Sequence, residues 1–312
     1  MKYITAPIAV LDSGIGGIGV LRELKKALPG ESFLYFGDSA NAPYGEKTAE
    51  EILKIVFSRA ARLACRAKAL VLACNTATAA AAKELRAKLP LPVIGMEPAV
   101  RPALRVCPHP RVLVLATKAT LEGAKFRALM QKTPDAEIIA LAAPGIVRLV
   151  EAGTLTGAAP RAYLAELLAP YRGIRFDAVV LGCTHFPFLT AELHRALDYP
   201  VPFFDGAAGT ARETARRLAA AGLLRGNSAA RDPCPGGFES HDRFSDEARR
   251  LHNFPDFVWE TVPDPAARLP ACRSVARIPD PCPAAWAPGR ILLSGSNPAA
   301  LPLMKRLLFE TS

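Results

Sequence analysis

The chain has 312 residues, half of them apolar, so a soluble protein with a sizeable core is expected, most simply as two domains. Seven cysteines, an odd number with no Cys-x-x-Cys pair, argue against a disulfide framework and a zinc site and point to reduced thiols in a cytosol; no run reaches the ~18 apolar residues of a membrane span. The formal net charge is +10, but the basic residues are scattered pairs (Lys25-Lys26, Arg216-Arg217, Arg249-Arg250) among acids, which suits solvated helix faces and a small anionic substrate better than nucleic acid.

The first strand is Pro7 to Leu11. Lys2 is the only early cation, and Pro7 and Asp12-Ser13-Gly14 break the apolar run, so a first strand is expected here in preference to a signal peptide. A Gly-rich turn (Asp12 to Gly19) leads into a helix over Val20 to Leu28, stopped by Pro29-Gly30. A strand from Phe33 to Phe36 closes on Gly37-Asp38. Asn41-Ala42-Pro43-Tyr44-Gly45 is turn chemistry, and Thr48 opens a helix to about Ala67. The strand Leu70 to Ala73 follows, then an alanine-rich helix to Leu89 and a short strand from Pro92 to Gly95. The pattern restarts with a strand at Arg111 to Ala116, a helix at Leu121 to Gln131 and a strand at Glu137 to Leu141. Helices at Ile146 to Ala152 and Pro160 to Tyr171 lead to the strand Val179 to Gly182. Ala191 to Leu197 is helical, Val201 to Phe204 extended, and Ala207 to Ala221 helical.

This alternation predicts an α/β protein with parallel sheets flanked by helices. From about 225 to 289 the character changes: ten prolines fall between Pro233 and Pro288, beside Cys234, Cys272 and Cys282. The stretch reads as an insertion, much of 231–288 exposed and irregular, with one helix near Asp246 to Leu251. Arg290 to Gly295 is a last strand and Ala299 to Leu308 a last helix.

Two stretches echo one another. Leu70-Val71-Leu72-Ala73-Cys74-Asn75-Thr76 and Val179-Val180-Leu181-Gly182-Cys183-Thr184-His185 each run from buried-strand aliphatics into a small residue, a cysteine and polar groups. Open α/β sheets place ligand chemistry at such carboxyl ends. Taken singly, each cysteine reads as a small core residue; paired, they suggest two similar halves that each offer one thiol to a shared cleft. Asp12 alone reads as a turn residue or cap, and His185 alone as a core histidine.

Gly14-x-Gly16-x-x-Gly19 matches the dinucleotide fingerprint, with Asp38 closing the next strand, and raises a nicotinamide-dependent oxidoreductase as the rival reading. Asp12 and Ser13 intervene between strand and first glycine, and a carboxylate there would face a diphosphate. Close packing around a small ligand is the better account of these glycines.

Asp12-Ser13-Gly14-Ile15-Gly16-Gly17, Gly37-Asp38, Pro43-Tyr44-Gly45, Cys74-Asn75-Thr76-Ala77-Thr78, Leu149-Val150-Glu151-Ala152-Gly153 and Leu181-Gly182-Cys183-Thr184-His185-Phe186-Pro187 together resemble the glutamate racemase family, in order, over about Ile8 to Leu224. The resemblance implies two pseudo-symmetric α/β domains with the site in the cleft between them: 1–97 with 208–312, carrying the insertion at about 225–289, and 98–207. It implies a cofactor-independent racemase, without metal, that interconverts L- and D-glutamate in the cytoplasm and supplies D-glutamate for peptidoglycan. By resemblance, Cys74 and Cys183 are the acid/base thiols, Asp12 the helper of Cys74, and Glu151 with His185 the helpers of Cys183. Asp12, Ser13, Tyr44, Gly45, Asn75, Thr76, Thr184 and His185 correspond to substrate-binding positions, as do Thr117 and Thr120. Small-molecule substrate is the expected partner, with neither nucleic acid nor membrane, and a homodimer stays open. Ala116 and Ala142-Ala143-Pro144-Gly145 depart from the family pattern. An aspartate racemase of the same superfamily and a catalytically silent glutamate-binding protein are the other readings; retention of both thiols with their neighbours argues against the silent one.

Overall fold

The computed structural model describes residues 4–131, 133, 135–225, 258–262, 290–294 and 303. In chain order its strands are β1 (Ile8–Asp12), β2 (Phe33–Gly37), β3 (Ala69–Leu72), β4 (Val93–Gly95), β5 (Arg111–Ala116), β6 (Glu137–Ala142), β7 (Ala178–Gly182), β8 (Phe203–Asp205), β9 (Val258–Val262) and β10 (Arg290–Ser294). They form a six-stranded sheet of order β4-β3-β1-β2-β10-β9 and a four-stranded sheet of order β6-β5-β7-β8. Every pairing is parallel. Helices bury both faces of the sheets, which is why β1, β3 and β7 are near-continuous aliphatic runs with every residue buried.

Side chains on successive strand residues alternate between two cores. From the six-stranded sheet, Ile8, Val10, Tyr35 and Val71 face the helices Ile18–Ala27 and Ala207–Ala220. Ala9, Leu11, Leu34, Phe36, Leu70 and Leu72 face the helices Ala49–Ala64 and Asn75–Lys88. The first of these cores continues without a break into Leu113, Leu115, Val179 and Leu181 of the four-stranded sheet. One apolar cluster therefore holds the two sheets at a set distance, with the carboxyl ends of β1, β3, β5 and β7 leading to Asp12, Cys74, Thr117 and Cys183.

At the opposite ends of the strands, Lys68 is fully buried. Its Nζ bonds Glu31 and donates to the carbonyls of Ile4 (2.9 Å) and Leu223 (2.8 Å), while Arg225 N donates to Glu31 Oε1 at 3.0 Å. This cluster ties the chain leaving the helix Ala207–Ala220 to the starts of β1, β2 and β3.

Three expectations need correction. The single helix expected over Leu121 to Gln131 is two, Lys118–Leu121 and Ala124–Gln131, because Thr117 caps an early turn that closes through Gly123 N to Thr120 O (3.2 Å). The helix expected over Pro160 to Tyr171 is Ala158–Leu168, finished by a 3₁₀ turn at Ala169–Tyr171, since Pro170 cannot donate to a longer helix. The proline-rich stretch contains a strand the sequence reading left out: Val258-Trp259-Glu260-Thr261-Val262, rich in β-branched and aromatic residues, adds β9 beside β10. The expected helix at Asp246 to Leu251 and most of the last helix lie outside the described residues.

Candidate active site

On the six-stranded side, β1 ends at Asp12, whose side chain is fully buried. Asp12 Oδ2 accepts from Gly14 N (3.1 Å), and the Gly14 carbonyl accepts from the buried Tyr35 hydroxyl at 2.7 Å, so the turn after β1 is held at both ends. Cys74 follows β3 and is the N-cap of the helix Asn75–Lys88, its Sγ accepting from Ala77 N at 3.5 Å. The thiol thus sits where a helix N-terminus favours negative charge. Asn75, the next residue, is buried, and neither Oδ1 nor Nδ2 has a hydrogen-bond partner among the described residues. Tyr44 is positioned by Asp38: the Tyr44 hydroxyl donates to Oδ2 at 2.7 Å, beside Asn41 Nδ2 at 3.0 Å and Arg59.

On the four-stranded side, β7 delivers Cys183, Thr184 and His185, all buried. His185 Nδ1 lies 3.8 Å from Cys183 Sγ and 3.3 Å from Thr184 Oγ1, while Nε2 lies 2.6 Å from Glu151 Oε1, at the end of the helix Pro144–Glu151. One imidazole therefore joins a thiol on one edge to a carboxylate on the other, a proton-relay arrangement.

The two sides interlock. Thr184 Oγ1 donates to Asp12 Oδ1 (3.2 Å), and Glu151 accepts from Ile15 N (2.9 Å) and Ser39 Oγ (3.3 Å). Thr76 meets Thr117 hydroxyl to hydroxyl at 2.9 Å, and Thr117 reaches Thr120 at the same distance. Three glycines make room for this. A Cβ on Gly14 would lie 1.9 Å from Glu151 Oε1, one on Gly16 2.5 Å from both His185 Nδ1 and Thr184 Oγ1, and one on Gly45 2.7 Å from Thr117 Cβ. Gly19 has nothing within 4 Å of such a Cβ. The space above the turn that a pyrophosphate would need is filled by Glu151 and His185, which removes the structural basis for a dinucleotide site.

Charge is tuned by burial and by these contacts. Burial raises the Asp12 carboxyl above its ordinary range, against the opposing pull of His185 and of the Gly14 and Gly17 amides. The Cys74 thiol is pushed up to about 12, first by burial and then by Asp12 and Cys183, so it holds its proton at neutral pH in this arrangement. Burial would lower the proton affinity of His185, but its bonds to Cys183 and Glu151 prevail and hold it well above its ordinary value. Burial likewise opposes ionisation of Glu151, yet His185, Ile15 N and Ser39 outweigh it and keep the carboxyl low. The result is an imidazolium–carboxylate pair beside Cys183 and a protonated thiol at Cys74. Among the described residues no group of three or more His, Cys, Asp or Glu side chains is placed to share a metal ion.

The residues singled out from the sequence lie in this network or next to it: Ser13 follows Asp12 in the turn after β1, Tyr44 is held on Asp38, and Gly45 stands against Thr117. Ser39, Tyr35 and Ile15 N were not anticipated. Tyr35 and Ile15 read as core residues, and Ser39 as one more turn serine, so no local signal marked them.

The sequence profile of the Asp/Glu/hydantoin racemase family matches residues 16–214. The glutamate racemase of Clostridium perfringens (strain SM101 / Type A) is 45% identical over 216 residues, covering 68% of this chain and 83% of that one. The glutamate racemase of Ectopseudomonas mendocina is 47% identical over 227 residues, covering 72% and 86%. Among solved structures, Escherichia coli glutamate racemase in complex with L-glutamate and the activator UDP-MurNAc-Ala superposes with a TM-score of 0.64 at 34% identity, covering 69% of this chain and 83% of that one.

Proposed function

The chain belongs to the Asp/Glu/hydantoin racemase family, and we propose that it interconverts L- and D-glutamate without a cofactor, using Cys74 and Cys183 as its acid and base. The observation that carries this reading is that two thiols each stand at the carboxyl end of a strand in a different sheet, with the contacts Cys183–His185–Thr184–Asp12 running from one thiol to the carboxylate that raises the pKa of the other. Inversion at an α-carbon needs a base on one face and an acid on the other. A thiolate takes the Cα proton, the electron pair moves into the α-carboxylate, and the opposite thiol gives its proton to Cα. One sulfur ends protonated and the other as thiolate, and proton exchange with solvent resets them. A thiol's ordinary pKa of about 8.5 is near neutrality; burial holds Cys74 above it without substrate, so Cys74 stands ready as the acid and has to give up that proton before it can serve as the base.

The supporting residues follow from their contacts. His185 passes protons to and from Cys183 with Glu151 behind it, and Asp12 does the same office for Cys74. The unpaired amide of Asn75 matches one substrate donor and one substrate acceptor, and buried polar groups are rarely left unpaired without a ligand to meet them. Ser13, Tyr44-Gly45 and the hydroxyls of Thr76, Thr117, Thr120 and Thr184 complete the set that holds the substrate's two carboxylates.

We assign 1–97 with 208–312 to one domain and 98–207 to the other, and place the enzyme in the cytoplasm, where D-glutamate serves peptidoglycan synthesis and cell shape. No helix among the described residues is long and apolar enough to cross a membrane. The reading includes neither a nucleic-acid nor a membrane partner and leaves a homodimer open. The test is polarimetry: protein freed of small molecules should bring L-glutamate to zero rotation without pyridoxal phosphate, nicotinamide or metal, and should act more slowly on L-aspartate. A strict need for any of these additions, or a preference for aspartate, would overturn the proposal.

A further inference from the structure

Glu151 reaches across the cleft. It ends a helix on the four-stranded side, yet two of its donors belong to the six-stranded side: Ile15 N on Oε1 (2.9 Å) and Ser39 Oγ on Oε2 (3.3 Å). His185 Nε2 shares Oε1 at 2.6 Å, which leaves its Nδ1 turned toward Cys183. The turn that Ser39 opens, Ser39–Asn41, makes no side-chain cap bond, and its own polar contacts run to Asp38 from Asn41 and Tyr44. The Ser39 hydroxyl is thus directed to Glu151 and not to its own loop. The facing backbone is cut back for the same carboxylate, since a Cβ on Gly14 would stand 1.9 Å from Oε1.

We propose that Ser39 is a positioning residue for the reaction: from across the cleft it fixes the second oxygen of Glu151, so that the first oxygen aligns His185 with Cys183. A carboxylate held at both oxygens cannot swing about its last bond, and reacting groups lose rate steeply when misplaced by an ångström. The inference rests on Cys183 being one of the two acid/base thiols. Besides Glu151, the titratable groups facing this imidazole are Cys183 at the end of β7 and Asp12 at the end of β1, with Tyr35 of β2 and Cys74 coupled to Asp12 behind them. None of these is altered when Ser39 is changed.

Ser39→Ala frees Oε2 from this donor, so Glu151 leaves Nε2 for part of the time and His185 gives up its proton at lower pH. Two readouts test this on the full chain. The first is the titration of the His185 imidazole nitrogens by NMR in the ligand-free protein. The second is the pH profile of kcat/KM for racemisation. Alanine should lower the His185 midpoint and the alkaline limb together, by up to about one pH unit, with kcat/KM down by up to about tenfold above neutrality and KM little changed. The loss must be equal in both directions, because the enantiomers have equal free energy. Ser39→Thr, which keeps the hydroxyl, should restore both readouts. A His185 midpoint unchanged or raised in the alanine variant, or equal impairment by alanine and threonine, would overturn the inference. Failure of the unmodified protein to racemise glutamate would overturn the functional reading instead, and is seen separately from the titration.

Discussion

Asn75 carries a stability cost that its assigned role should explain. Its amide is buried at the first residue of the helix Asn75–Lys88, with neither polar atom paired among the described residues. An unpaired buried amide costs ~1–3 kcal/mol. Leucine has the same branching and the same number of side-chain heavy atoms, is larger by its two methyl groups, and has no polar atoms and a helix propensity better by a few tenths of a kcal/mol. Cys74, not Asn75, is the N-cap, so no capping bond is lost. Asn75→Leu should therefore stabilise the ligand-free protein by ~1–2 kcal/mol, and the same change should remove the amide that substrate pairs with. Glutamate at about 100 times its Kd stabilises a binding-competent protein by ~2.7 kcal/mol, and this increment should vanish in the variant. Urea unfolding with and without glutamate measures both effects, provided the m-value is unchanged. A less stable ligand-free variant would mean that the amide has a structural partner. Equal stabilisation of both proteins by glutamate would mean that Asn75 lies outside the binding site.

Other outcomes follow from the same geometry. Cys74→Ser and Cys183→Ser should each nearly abolish racemisation, because a hydroxyl is a far poorer proton donor and acceptor near neutrality; solvent-deuterium exchange should persist from opposite enantiomers in the two variants, and near wild-type racemisation in either would return that cysteine to the core. Gly16→Ala should cut kcat by roughly 100-fold or more, since its Cβ would meet His185 Nδ1 and Thr184 Oγ1 at 2.5 Å, whereas Gly19→Ala, with open space around it, should keep activity and gain ~0.5–1 kcal/mol of stability. The Glu151–His185 pair sets a pH window for stability. His185 is raised, so its contribution is complete below its ordinary 6.5 and lost as pH climbs through the folded value. Glu151 is lowered, so its contribution is complete above its ordinary 4.5 and lost as pH falls through the folded value. The destabilisation by Glu151→Gln in urea titrations should be largest between these two values and shrink toward alkaline pH; a penalty that is flat with pH would contradict the pairing.

Much of the fold was legible because its signals are local. Continuous aliphatic runs mark strands buried on both faces, and Thr48 with Glu51 forms the capping box that starts the helix Ala49–Ala64. The echo of the two Cys stretches marked where ligand chemistry would sit, since strand ends are readable from where the aliphatic run stops. The boundaries that moved did so for tertiary reasons. Thr117 is drawn to Thr76 and caps an early turn, which splits the helix expected over Leu121 to Gln131. The segment Val258–Val262 becomes a strand because β10 offers it an edge, and its proline-rich surroundings gave no sign of one.

The glycine turn shows most plainly why the site itself was only half readable. As a string, Gly14-x-Gly16-x-x-Gly19 fits a turn that admits a phosphate as well as one that admits a protein side chain, because both demand the same missing Cβ. What separates them is the occupant, and the occupants, Glu151 and His185, lie more than a hundred residues away in sequence and on the four-stranded side. Ser39 was invisible for the same reason: its hydroxyl matters through a carboxylate that local sequence cannot place beside it. A site built between two sheets is specified by contacts of long sequence separation, so sequence identifies the groups that react more readily than the groups that hold them. That asymmetry makes the holding residues, Ser39, Gly14 and Gly16, the ones whose substitution best tests whether the two sides must close on each other for the chemistry to occur.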